Sequence, residues 1–132
     1  MKKQEIIEEV LDEIRAAAQD PRGLKAHQRR LMLTLSLGAG TLLEQHFRKL
    51  NLWKEGSQLN HLWFRRKKET LIQQLQNQIT SPLNSIENID KILDTAIKIE
   101  EKRDEIAYGA PATEKVLQEK INLFFILQEL TK

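Results

Sequence analysis

Thirteen consecutive uncharged residues, Leu31–Leu43 (LMLTLSLGAGTLL), constrain this chain more than any other stretch. The run falls well short of the roughly 20 apolar residues that span a bilayer. Wound as a helix it is apolar on nearly every face, so it belongs at the centre of a core. The alternation in LMLTLSL imitates a strand, but Leu35, Ala39, Leu42, His46 and Leu50 continue at helical spacing. We therefore expect a central helix from about Leu24 to Leu50. Gly38 and Gly40 each cost about 1 kcal/mol inside a helix. A second helix crossing closely there is the best explanation, with a kink as the alternative. No phosphate-loop pattern surrounds them.

The rest of the chain agrees with an all-α class. Leu, Ile, Lys, Glu and Gln dominate, aromatics are 5%, and 132 residues suffice for one domain, residues 1–132, with a real core. Cysteine is absent, which excludes disulfides and thiolate metal sites. The N-terminal MKKQEIIEEVLDEI is charged throughout and lacks the apolar centre of a signal peptide, so a soluble cytoplasmic protein is expected.

Periodicity places four further helices. The first covers Lys3–Ala18, with Ile7, Leu11, Ile14 and Ala18 on one stripe, and Asp20 is the expected N-cap and Pro21 the first position of the next element. A third runs from about Leu59 to Ile79, with Leu71, Leu75 and Ile79 in line. Asn84 and Glu87 resemble a capping box, so a fourth begins near Ser85 and ends near Tyr108, with Gly109 as a left-handed cap. Pro111 and Thr113 open the last, to about Leu130, whose apolar residues cover more than one face and point to burial in a dimer. The expected architecture is a bundle of four main helices plus a short or displaced fifth.

Charge is unevenly placed. Residues 22–68 hold eleven Lys or Arg against Glu44 and Glu55, a balance of +9, so the remainder must carry −7 to give the chain's +2. Such a segment suits an anionic polymer; the ordinary reading is acidic helices lying against basic ones. Arg29, Arg30, Arg65, Arg66, Lys67 and Lys68 are its candidate RNA-binding cations. Trp63-Phe64 before the last four could stack bases, although closing the core with Trp53 is the structural alternative. The three histidines lack ligand spacing to one another, so no metal or cofactor is expected. His46 reads as a core or edge residue. Paired acids such as Glu100-Glu101 and Asp104-Glu105 read as exposed helix charge.

Arg103 stands apart. Ile92, Ala96, Ile99, Arg103 and Ile106 recur at spacings of four, three, four and three, which sets an arginine in an apolar stripe. If the stripe is buried, the guanidinium needs a carboxylate, a phosphate or a wet cleft. Otherwise its stem covers Ile99 and Ile106 while its head reaches solvent.

The stretch KRDEIAYGAPAT at this position, between an isoleucine-rich helix and an amphipathic last helix, resembles the HEPN (higher eukaryotes and prokaryotes nucleotide-binding) family. Its signature is an arginine, usually followed by Asn or Asp, then three residues and a histidine. Arg103 and Asp104 match the first two positions, and Ile106, Ala107 and Gly109 match the apolar and glycine positions. Tyr108 stands where the histidine belongs. The resemblance implies a compact helical bundle. It also implies a homodimer with a catalytic cleft of Arg103, Asp104 and Tyr108 at its interface. The activity implied is that of a metal-independent ribonuclease, of toxin or defence type, paired with a nucleotidyltransferase-type antitoxin. A phenol titrates near 10 and is a poor general base at neutral pH, so binding of RNA or a nucleotide carries over better than cleavage. Arg22 and His27 reproduce the arginine-to-histidine spacing at the first chain break, which we read as coincidence. Two alternatives ignore the motif: a non-catalytic basic RNA-binding subunit of a larger assembly, and a protein-interaction partner without RNA affinity.

Overall fold

The computed structural model describes residues 3–132 and is helical almost throughout. Helix α1 spans Lys3–Gln19, α2 Gln28–Lys49, α3 Lys68–Gln76, α4 Ile89–Glu100, α5 Arg103–Tyr108 and α6 Glu114–Leu130. Short 3-10 turns at Leu24–His27, His61–Arg65 and Leu83–Ser85 link them. The one β-bridge among the described residues joins Trp53 to Ile79. No helix among them is long and apolar enough to cross a membrane. The chain is thus all-α, with α1, α2, α4 and α6 as the long helices.

Helix α2 is central, as its apolar middle requires. It packs against α1, α4, α5 and α6 and buries Leu31, Met32, Leu35, Ala39, Leu42, Leu43 and Phe47. Each such leucine contributes about 2 kcal/mol relative to an exposed one. The glycines answer to close crossings. A Cβ on Gly38 would lie 2.7 Å from Phe124 Cε1 of α6 and 2.9 Å from Val10 Cγ2 of α1. One on Gly40 would lie 2.9 Å from His61 Cε1. The helix is therefore gripped from both sides, without a break.

Several boundaries differ from those the pattern predicts. The central helix begins at Gln28, because Leu24–His27 is a 3-10 turn. Asp20 does not cap it; Asp20 Oδ1 accepts from Arg22 N–H at 2.9 Å, closing its own local turn. Glu114 of α6 supplies the cap instead, accepting from Leu24 N–H and Lys25 N–H at 3.0 Å each. The third helix shrinks to Lys68–Gln76, preceded by the His61–Arg65 turn that Asn60 caps through Leu62 N–H. No Asn84–Glu87 capping box forms; α4 starts at Ile89 after a left-handed Asn88.

The largest departure is at Glu101-Lys102, where one expected helix becomes two. Lys102 takes a left-handed conformation, φ 60°. The ammonium of Lys120, reaching from α6, donates to the carbonyls of Lys98, Ile99 and Glu101 at 2.5, 3.2 and 2.6 Å. A buried cation thus satisfies the end of α4 and favours a stop there. The predicted stripe survives the break: Ile92, Ala96, Ile99 and Ile106 are all buried. Gly109 is not the left-handed cap (φ −107°). Glycine is needed there because a Cβ would lie 2.5 Å from the Glu105 carbonyl oxygen. Of the last helix, Thr113 is the N-cap, its hydroxyl accepting from Val116 N–H at 3.1 Å.

Candidate functional site

The break between α4 and α5 creates a polar centre. Ser36 comes from α2, Glu100 from the last turn of α4, Arg103 and Asp104 from the first turn of α5, and His61 and Arg65 from the 3-10 turn. Arg103 Nε donates to Ser36 Oγ at 2.9 Å, and Ser36 Oγ donates to Glu100 Oε1 at 2.5 Å. His61 Nδ1 lies 3.3 Å from the same carboxylate oxygen. Arg103 Nη1 and Arg65 Nη2 both donate to Asp104 Oδ1 at 2.9 Å.

Arg103 therefore does not snorkel freely into water. Its side chain is 22% exposed, held between a buried hydroxyl and a surface carboxylate. Glu100 corrects the sequence reading of exposed helix charge: it is 3% exposed. The signal was available, since Ile89, Leu93, Ala96 and Glu100 follow at spacings of four, three and four, on the buried side of α4. Ser36 and His61 were not recognised; Ser36 hides in the apolar run, and no local pattern pairs either with residue 100.

A cleft of about 370 Å³ opens beside this centre, at the start of α5. Phe64 and Ile97 form its apolar part, and its polar lining is balanced in charge: Arg65, Arg66, Lys102 and Arg103 stand among Glu100, Glu101, Asp104 and Glu105. A second cleft, about 660 Å³, opens at the other end of α5, where Lys25, His27, Arg29 and Arg30 face Ile106, Ala107 and Gly109. No acidic residue lines this second cleft. Gln28 and Arg29 also fix the end of α5, donating to Ile106 O at 2.7 Å and Ala107 O at 3.1 Å.

The candidate residues accordingly sort into groups. Arg103, Asp104, Arg65 and Arg66 meet at the first cleft, Arg29 and Arg30 at the second. Lys67 lines neither, and Lys68 pairs with Asp94 at 2.9 Å and Asp90 at 3.4 Å, which raises its pKa. Tyr108 lies apart from Arg103 and Asp104 within one chain. Its ring is 66% exposed and it lines neither cleft, because five residues of α5 carry it past Arg103 onto the outer face. Trp53 stacks on Phe47 at 5.6 Å and Trp63 packs against the core, so both serve the fold.

Arg22 and His27 share a partner: Asp20 Oδ2 lies 2.8 Å from Arg22 Nη2 and 2.8 Å from His27 Nε2. Hydrogen bonds from Arg22, and then from His27, hold the Asp20 carboxyl far below the usual range. His27 Nδ1 faces Glu13 Oε1 at 2.8 Å, so this histidine pins α1 to the turn before α2. His46 is buried, and burial followed by the charge of Lys49 lowers its pKa.

No known protein family, curated protein or solved structure matches this chain.

Proposed function

We propose that this chain is a HEPN-like helical module that binds RNA or a nucleotide along α5, through the arginine-bearing clefts at its two ends. The observation that carries this reading is the half-buried Arg103, anchored through Nε and Nη1 at one cleft, where Arg65, Arg66 and Lys102 stand among the carboxylates of Glu101, Asp104 and Glu105. Arg29, Arg30 and Lys25 line the other cleft, where no carboxylate stands beside them. A phosphate backbone running along α5 from one cleft to the other would meet cations at both ends.

Binding without cleavage is the form we favour. Tyr108 stands away from both clefts, so no acid–base group at that position reaches Arg103 within one chain. The dimer that the resemblance implies would need an apolar face. Leu123, Phe125 and Ile126 of α6, the last two well exposed, provide one for a second copy or an antitoxin-type partner.

Single-stranded RNA binding across a salt series tests the reading. Arg29→Ala with Arg30→Ala should lower the slope of log affinity against log salt by roughly 1–2, and Arg103→Ala by about 1. Lys67→Ala, outside both clefts, should leave the slope unchanged. Absence of RNA binding at low salt, or equal losses from all three, would refute it. Cleavage of RNA that vanishes in Arg103→Ala would instead make the module a nuclease.

A further inference from the structure

The two clefts that flank α5 differ in charge, and the difference decides where an anion is held. At the first, every cation has a carboxylate close by, and Arg65 and Arg103 both spend a donor on Asp104. An anion arriving there competes with carboxylates already in place.

The second cleft offers donors and no free side-chain acceptor. Arg29 donates through Nε to the Ala107 carbonyl at 3.1 Å. That bond orients its guanidinium and leaves both terminal nitrogens without a partner among the described residues. Glu114 holds the backbone N–H of Lys25 at 3.0 Å, while the Lys25 ammonium makes no ion pair among those residues. Arg30 is shared, with Glu13 at 3.5 Å and His27 at 3.0 Å. Gln28 Oε1 already accepts from Ala112 N–H at 2.9 Å. The ring nitrogens of His27 face Glu13 and Asp20, each at 2.8 Å. The opposite wall, Ile106, Ala107, Gly109 and Pro111, brings no polar side chain. A cation, or a neutral ligand that binds through its donors, finds no side chain to hold it. A ligand that brings acceptors and negative charge does.

Charge and shape narrow that anion. A carboxylate is flat, carries a single charge and saturates on one arginine fork. An internal phosphate of RNA also carries a single charge. Two unshared cations, Arg29 and Lys25, are matched better by a phosphate monoester, with a charge of about −1.5 to −2 and three free oxygens. We infer that the cleft at the end of α5 is a phosphate-monoester site, with Arg29 Nη1 and Nη2 and Lys25 Nζ as its donors. Its volume of about 660 Å³ leaves room for the group esterified to the phosphate. That group is either the end of an RNA strand or a free small molecule. The inference rests on the RNA- or nucleotide-binding reading above and adds which phosphate is held, and where.

The test compares binding of the full chain to one single-stranded RNA sequence carrying a 5′-phosphate, a 3′-phosphate or neither, beside calorimetry with inorganic phosphate and with acetate. A phosphate at one end should tighten RNA binding about tenfold, and inorganic phosphate should cancel that advantage by competition. Arg29→Gln should remove it. Lys25→Gln should reduce it severalfold; its ammonium holds no other part of the fold, so this variant decides if Arg29→Gln fails to fold by circular dichroism. Arg65→Gln with Arg66→Gln, at the other cleft, should weaken the three RNAs alike and keep their ratio, and a fall in the ratio there would overturn the placement. RNA bound equally in all three forms, with no uptake of inorganic phosphate, would overturn the monoester site and leave the RNA reading standing. Inorganic phosphate held through Arg29 and Lys25 without any RNA binding would sink the RNA reading and assign the site to a free phosphate ester. Acetate bound as tightly as inorganic phosphate would overturn the choice of a dianion.

Discussion

Replacing Lys120 by methionine tests the claim that one buried ammonium ends α4. The substitution keeps the length and apolar stem of the side chain and removes three charge-assisted hydrogen bonds, to the carbonyls of Lys98, Ile99 and Glu101. The Ile99 carbonyl is the buried one, and leaving it unpaired costs about 1–3 kcal/mol. The other two are partly open to solvent, and water can recover most of their bonds, so they add about 0.5–1 kcal/mol each. Against this stands the relief of the buried charge. Desolvation lowers the pKa of Lys120 despite the nearby Glu101 and Glu100, which means the ammonium is held at a cost. The net loss should be about 2 kcal/mol. Urea denaturation followed by circular dichroism would show it as a midpoint lower by roughly 1 M, with an unchanged slope. Since Arg103 begins the helix after the break, RNA affinity should fall with it. A change in stability below about 0.5 kcal/mol, or full stability with a continuous helix from Ile89 to Tyr108, would refute the reasoning.

Other perturbations follow from the same packing. Gly38→Ala gains about 1 kcal/mol in helix propensity but drives a methyl into the fully buried Phe124 and Val10, an overpacking of about 1–3 kcal/mol; the sum should be destabilising, and a raised melting temperature would contradict the crossing. Glu114→Ala removes the acceptor for Leu24 N–H and Lys25 N–H and should cost about 1 kcal/mol in urea titration. His46 has its pKa lowered by burial and by Lys49, so its neutral form is the one the fold prefers. Its contribution is complete above about 6.5, the unfolded value, and is lost as pH falls below it. Wild type should therefore lose stability between pH 7 and 5 more steeply than His46→Leu, and parallel curves would exclude the effect.

The helical class was legible because the periods Leu35–Ala39–Leu42–His46 and Ile92–Ala96–Ile99–Ile106 report burial directly, although Leu50, next in the first line, is exposed; burial is what holds helices together. The Arg103 stripe was legible for the same reason. The break at Lys102 was not. Nothing local marks it: no proline or glycine stands there, and the group that ends α4 is a lysine eighteen positions later in another helix. Likewise Glu114 caps a turn ninety residues earlier, which no capping rule read along the chain can find. Periodicity could reveal that Glu100 is buried; that Ser36 and His61 meet it depends on α2 and the turn at His61–Arg65 folding against α4. Counting along the motif did not reveal that Tyr108 lies apart from Arg103 within one chain. A six-residue helix turns its two ends to different sides, and sequence adjacency overstated their nearness.

The lysine clamp has a bearing on the speed and character of recognition. Because α6 holds the end of α4, and Gln28 and Arg29 hold the end of α5, the backbone on which Arg103 rides is tied down at both extremities. On the proposed binding role, a ligand entering either cleft would find its cations already mounted on a stiff frame and would have only side-chain rotations to arrest. The ordering cost of association is correspondingly small. Encounter should then be governed by diffusion and long-range charge, with differences between ligands expressed in how long they stay.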